Sequence, residues 1–198
     1  MPLALRAPGI GKGRGVVEPG GLSFRAAGPD DVHAVASLQA DSWQRHYRGA
    51  FSDAFLDGDI TGFLLPLWTD RLSRPEPRAR AILAEQDGQL AGLAYTLLDE
   101  DPTWGAFLDN LHVVHWLKRR GIGARLLSLT RQAVRDWSPS SGLYLWVLEQ
   151  NAAARAFYAA QGGVCVERND VPPPGGNPAN LTGKPTGLRY VWREGPAR

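Results

Sequence analysis

Leu108-Asp109-Asn110-Leu111-His112-Val113-Val114-His115-Trp116-Leu117-Lys118-Arg119-Arg120-Gly121-Ile122-Gly123-Ala124-Arg125-Leu126-Leu127 reads as an apolar strand, a short basic loop with two glycines, and the start of an amphipathic helix. Apolar residues continue at 129, 133 and 137, the three-to-four spacing of one buried helix face. A strand that turns through a basic Gly-x-Gly into a helix is a place to bind phosphate. The helix start offers unpaired N–H groups and the positive end of the peptide dipoles. Gly121 and Gly123 let an anion come close where a Cβ would stand in the way.

Gly-x-Gly alone is a weak signal, because glycines also mark turns and caps. A second pattern sharpens it: Asn151-Ala152-Ala153-Ala154-Arg155-Ala156-Phe157-Tyr158-Ala159-Ala160-Gln161-Gly162. Together the two resemble the GNAT-type N-acetyltransferases. That family carries Arg/Gln-x-x-Gly-x-Gly/Ala after a central strand, then Asn and a Phe-Tyr-x-x-x-Gly helix some thirty residues on. Lys118 stands where the family prefers Arg or Gln, and Arg119 where many members have glycine. Gly163 replaces the usual aromatic after the Tyr helix, which puts local packing in question.

The resemblance implies a cosubstrate, acetyl-CoA, and no metal. It implies that amides of Arg119, Arg120, Gly121, Ile122, Gly123 and Ala124 hold a pyrophosphate. The backbone of Leu111, His112 and Val113 would pair with the pantetheine arm, with Asn151 and Tyr158 completing the coenzyme site. Tyr158 is the expected general acid, since a phenol is protonated at neutral pH and can donate to a thiolate. Asp109 matches the strand carboxylate that acts as base in several relatives. His112 titrates nearer neutrality, but strand alternation sets it on the face opposite Asp109 unless a bulge intervenes. The implied reaction is direct attack of a primary amine on acetyl-CoA. The alternatives are a CoA-binding regulatory domain without turnover and a different phosphate ligand.

Outward from these motifs, the N-terminal side reads as a tail over 1–21 followed by one domain over 22–198. Gly9 to Gly15 is glycine-rich but lacks the strand and helix of a nucleotide loop. A strand starts at Leu22, and Pro29-Asp30-Asp31 opens a helix to about 42. Trp43, His46 and Tyr47 share one face if that helix continues, either as an aromatic stripe packing the core or, as the resemblance implies, as the wall of an acceptor pocket. Short helices follow over 51–57 and 61–73. Strands over 81–85 and 90–98 flank Gln86-Asp87-Gly88-Gln89, a strong hairpin signal.

On the C-terminal side, Leu143–Leu148 is an unbroken apolar run, expected to be a buried parallel strand. Strands at Val164–Arg168 and Leu188–Trp192 enclose a proline-rich loop from Val171 to Pro178. The order predicts an α/β fold, a GNAT-like mixed and mainly antiparallel central sheet flanked by helices and splayed at its central strands.

At 198 residues with 43% hydrophobic and 21% charged content, the chain is that of an ordinary globular protein. Its net charge of +2 makes no case for nucleic acid. No apolar run approaches the length of a membrane span. The single cysteine, Cys165, fits a reducing cytoplasmic setting and, lying between two valines, is expected to be buried. The partners implied are a small-molecule or peptide amine acceptor, with no nucleic acid or membrane, and a homodimer is an open arrangement.

Overall fold

The computed structural model describes residues 16–17 and 20–193. The glycine-rich stretch from Gly9 lies outside them. Part of the expected tail does not: Val16–Val17 (β1) pairs with Leu22–Ala26 (β2). Helices follow at Val32–His46 (α1), Asp53–Leu56 (α2) and Ile60–Ser73 (α3). Helix α1 runs past the expected end near 42, which carries His46 onto it and leaves Tyr47 as its C-cap.

Ala79–Gln86 (β3) and Gln89–Asp101 (β4) form the expected hairpin. Asp87 and Gly88 have φ of 52° and 77°, the pair of positive values that a two-residue turn requires. Gly105–Val113 (β5) returns antiparallel to β4, and the loop leads into Ile122–Trp137 (α4). Then come Leu143–Leu148 (β6), Ala152–Ala160 (α5), Val164–Asp170 (β7) and Thr186–Trp192 (β8). Two single 3-10 turns, Pro174–Gly176 and Pro178–Asn180, punctuate the proline-rich loop.

All eight strands form one sheet in the order β1-β2-β3-β4-β5-β6-β8-β7. Among the described strands, only β5 and β6 pair in parallel. Helices α1 and α3 bury Val35, Leu64 and Trp68 against Leu83, Leu93 and Tyr95 on one face. On the other face α4 and α5 cover Ile82, Ala94, Leu108 and Leu145. The expected mixed sheet between helices is therefore what the chain forms. Burial of Cys165 is not. Strand β7 lies at the sheet edge, and Cys165 is exposed between Val164 and Val166, also exposed. The run looked like core because its strand's edge position is set by the order β6-β8-β7, which local sequence does not show.

One irregularity decides the geometry of the site. Tyr95 pairs with Asn110, but Thr96 pairs with Leu108, so Asp109 is an extra residue, a β-bulge. Leu108, Leu111 and Val113 all join the cluster under α4 and α5. Asn110 and His112 lie opposite Tyr95 and Leu93 and share their face, towards α1 and α3. The alternation that separated Asp109 from His112 is broken between them.

Candidate active site

Strands β5 and β6 pair only at Ala106 with Leu143 and Phe107 with Tyr144. Beyond that point they separate, although β5 runs on to Val113 and β6 to Leu148. The opening is a cavity of about 470 Å³. Leu108, Asp109, Leu111, His112 and Val113 line it from β5, with Leu145, Trp146 and Val147 from β6. Splayed strands leave backbone N–H and C=O groups that need another partner.

The basic loop closes one end. Gly121 has φ 84° and is the N-cap of α4, with no side chain to cap the helix. A Cβ there would meet no protein atom, so it is backbone conformation, and not crowding by the protein, that calls for glycine. At Gly123 a Cβ would make ordinary contacts with Phe157 (3.5 Å) and Val113 (3.6 Å). Arg119, Gly121, Ile122, Gly123 and Ala124 line the cavity; Arg120 is exposed and does not. Arg119 has φ 65°, which costs a non-glycine residue about 1–2 kcal/mol. That explains the glycine preferred at this position. Arg119→Gly is therefore expected to retain or raise Tm while raising KM for acetyl-CoA several-fold through the lost charge. Calorimetry and steady-state kinetics check the two effects.

Helix α5 closes the other side. Asn151 Oδ1 accepts from the Ala154 N–H (3.1 Å) and caps the helix, and both Asn151 and Tyr158 line the cavity. Tyr158 is 8% exposed and packs against Phe157, Tyr190 and Trp192. Burial, with a smaller contribution from Tyr47, pushes its phenol far above the usual range. The hydroxyl stays protonated at any working pH. Gly163 belongs to this support: a Cβ there would stand 2.7 Å from the Trp192 ring. The indole of β8 thus fills the space, and its Nε1 donates to Gln161 O (2.9 Å).

Towards α1, His46 and Tyr47 line the cavity, whereas Trp43 does not. Trp43 packs among Tyr47, Phe51 and Phe55, so it supports the wall from behind. Burial, then the charge of Asp109, pushes the Tyr47 phenol up to about 12. Lys118 Nζ lies 2.6 Å from His46 Nε2; an ammonium only donates, so that nitrogen accepts. Burial and the nearby charges of Lys118 and His115 lower the His46 pKa.

The bulge gathers a polar chain on the same face. Arg71 of α3 lies 2.7 Å from Asp109 Oδ2; the contact is an ion pair, because its N–H is not aligned as a directed hydrogen bond. The guanidinium also sits over the Tyr95 ring, 4.3 Å from its centroid. Asn110 Nδ2 donates to Asp109 Oδ2 (2.8 Å), and His112 Nε2 is 3.1 Å from Asn110 Oδ1. Burial, then the charges of Lys118 and His46, pushes the His112 ring down to about 4, so it is neutral at pH 7.

Residues 38–162, more than half of the chain, match the model of the Acetyltransferase (GNAT) family. The chain belongs to that family. It is 30% identical over 146 residues to a Mycobacterium tuberculosis protein named Probable N-acetyltransferase Rv2775, covering 72% of this chain and 79% of that one. The PaiA N-acetyltransferase of Thermoplasma acidophilum, solved with coenzyme A, shares the fold with a TM-score of 0.65. It is 16% identical, over 87% of this chain and 98% of the other. The ribosomal-protein-S18-alanine N-acetyltransferase of Escherichia coli matches with a TM-score of 0.61 and 20% identity, over 89% and 96%.

Three residues of this GNAT site had no sequence signal of their own. Arg71 comes from a helix some forty residues before the strand it serves. Asn110 stands inside the stretch read as an apolar strand, and Trp146 inside the unbroken apolar run 143–148. Lys118 was legible as part of the loop motif but not as a partner for His46. Among the described residues, no three His, Cys, Asp or Glu side chains come together as a metal site. No helix among them is long and apolar enough to cross a membrane.

Proposed function

We propose that this GNAT acetyltransferase moves the acetyl group of acetyl-CoA to the primary amine of a small molecule or peptide by direct attack. The observation that carries the reading is the splay of β5 and β6, which opens between the glycine loop and Tyr158. The residues fit the coenzyme. Amides from Arg119 to Ala124, at the start of α4, suit its pyrophosphate. The backbone of Leu111, His112 and Val113, unpaired towards β6, suits the pantetheine amides, and Asn151 flanks them. Arg120 contributes through its amide only.

Acetyl-CoA supplies a thioester carbonyl activated towards amines. Tyr158, buried and protonated, holds the proton for the departing sulfur. The amine enters along His46 and Tyr47, and its proton leaves on the α1–α3 face, where the bulge gathers Asp109 and His112. We place the enzyme in the cytoplasm, where exposed Cys165 would stay reduced. If it forms a homodimer, the edge strand β7, with Val164 and Val166 exposed at its start, is the surface for it.

The test is release of free coenzyme A thiol from acetyl-CoA by the purified protein, with panels of amino acids, aminoglycosides, polyamines and peptide N-termini. Amine-dependent release with at least one class is the expected result. Tight acetyl-CoA binding with no release above the buffer rate for every class would favour a binding domain without turnover.

A further inference from the structure

The polar chain on the α1–α3 face has a direction, and the direction assigns a proton. Arg71 can only donate, and the carboxylate of Asp109 beside it can only accept. Asn110 must therefore present its NH₂ to Asp109, as the 2.8 Å contact has it, and its carbonyl oxygen to the ring. An oxygen acceptor 3.1 Å from His112 Nε2 requires that nitrogen to carry the hydrogen. The neutral ring then has its lone pair on Nδ1, which has no protein hydrogen-bond partner among the described residues. His112 is one of the residues that line the cavity.

We propose that Arg71, Asp109 and Asn110 form a positioning chain that fixes His112 in its Nε2–H tautomer, and that His112 Nδ1 accepts the proton of the acceptor amine. The proposal rests on the transferase reading above and departs from the sequence-based choice of Asp109 as base. Asp109 spends Oδ2 on both Arg71 and Asn110, so it anchors the chain. The bulge makes this possible, because without it Asp109 would sit on the other face from Asn110 and His112.

The step balances. The amine nitrogen bonds to the acetyl carbon and the carbon–sulfur bond breaks. One amine proton passes to His112 Nδ1, and the Tyr158 hydroxyl proton passes to sulfur. His112 then releases its proton to solvent and Tyr158 regains one. The charged and titratable groups around the ring are Lys118 and His46 at the α1 side, and Asp109 and Arg71 through Asn110. Burial, and after it the charges of Lys118 and His46, disfavours a resting imidazolium, which keeps the lone pair available at neutral pH.

The deciding measurement is the ¹⁵N spectrum of histidine-labelled protein, with His112 assigned among the four histidines through His112→Gln. The expected wild-type result at pH 7 is a protonated, pyrrole-like Nε2 and a bare, pyridine-like Nδ1. Asn110→Ala removes the acceptor and Asp109→Asn removes the acceptor-only group that sets the chain's direction. Each should mix the tautomers and lower kcat about 10-fold, with KM for acetyl-CoA unchanged. A wild-type ring protonated on Nδ1 would overturn the proposal, and needs no variant to fold. So would Asn110→Ala with wild-type kcat beside an Asp109→Asn that loses the rising limb of the kcat/KM pH profile, since the carboxylate would then be the base. The spectrum is read without acetyl-CoA or acceptor, so an enzyme that fails to transfer acetyl groups is distinguished from a chain that points the other way.

Discussion

Tyr158→Phe should lower kcat by roughly 10²-fold or more, the usual contribution of a well-placed general acid. KM for acetyl-CoA should barely move. The ring packs tilted against Tyr190 and edge-on against Trp192, and phenylalanine keeps both contacts. Loss of a hydroxyl with retention of the ring therefore separates chemistry from binding. The pH profile gives a second check. A phenol raised above its ordinary pKa is lost as an acid only at pH above that raised value. Wild type should show no falling limb from Tyr158 below about pH 10, an ordinary phenol's pKa, and the variant should fall by a near-constant factor across the measured range. A kcat within twofold of wild type, with chemistry shown to limit turnover, would remove Tyr158 from the mechanism.

Gly123→Asp should abolish the thermal stabilisation given by acetyl-CoA. A ligand at a hundredfold excess over its Kd stabilises the native state by about 2.7 kcal/mol. For a chain of this size that is roughly a 5–10 °C rise in Tm. The new Cβ meets Phe157 and Val113 only at ordinary contact distances, so the variant should fold and melt near the wild-type temperature without ligand. Its carboxylate, however, would stand on the first turn of α4. Two like charges about 4 Å apart repel by roughly 4 kcal/mol at a surface-like effective dielectric, more than the binding gain just counted. Differential scanning fluorimetry with and without acetyl-CoA decides it. A wild-type shift in the variant would move the phosphate site away from this loop.

The motif regions were legible because their information is local. A glycine with positive φ, a helix face repeating every three to four residues and an asparagine cap are all written within a few positions of where they act. The hairpin at Asp87-Gly88 is the same kind of feature. The parts that were not legible depend on pairing across distance. The bulge at Asp109 is defined by Tyr95 and Thr96 on the neighbouring strand, and it reversed which residues share a face. Arg71 reaches Asp109 from α3, and no spacing along the chain connects them. Trp43 lies at the right helical spacing for the wall, but rings from Phe51 and Phe55 draw it into the packing behind. Cys165 was misplaced because two valines look alike whether a strand is central or at an edge.

The position of β8 has a consequence for the order in which the molecule is made. The last of the described strands, it lies between β6 and β7 and brings Trp192 against Tyr158. During synthesis, therefore, every motif residue is out of the ribosome before the Trp192 ring that packs on Tyr158 arrives. Until then β6 lacks its β8 neighbour and β7 has no partner strand, a state prone to pairing with another nascent chain. Docking of β8 completes the packing around Tyr158, and a chain without it holds the glycine loop but lacks that support.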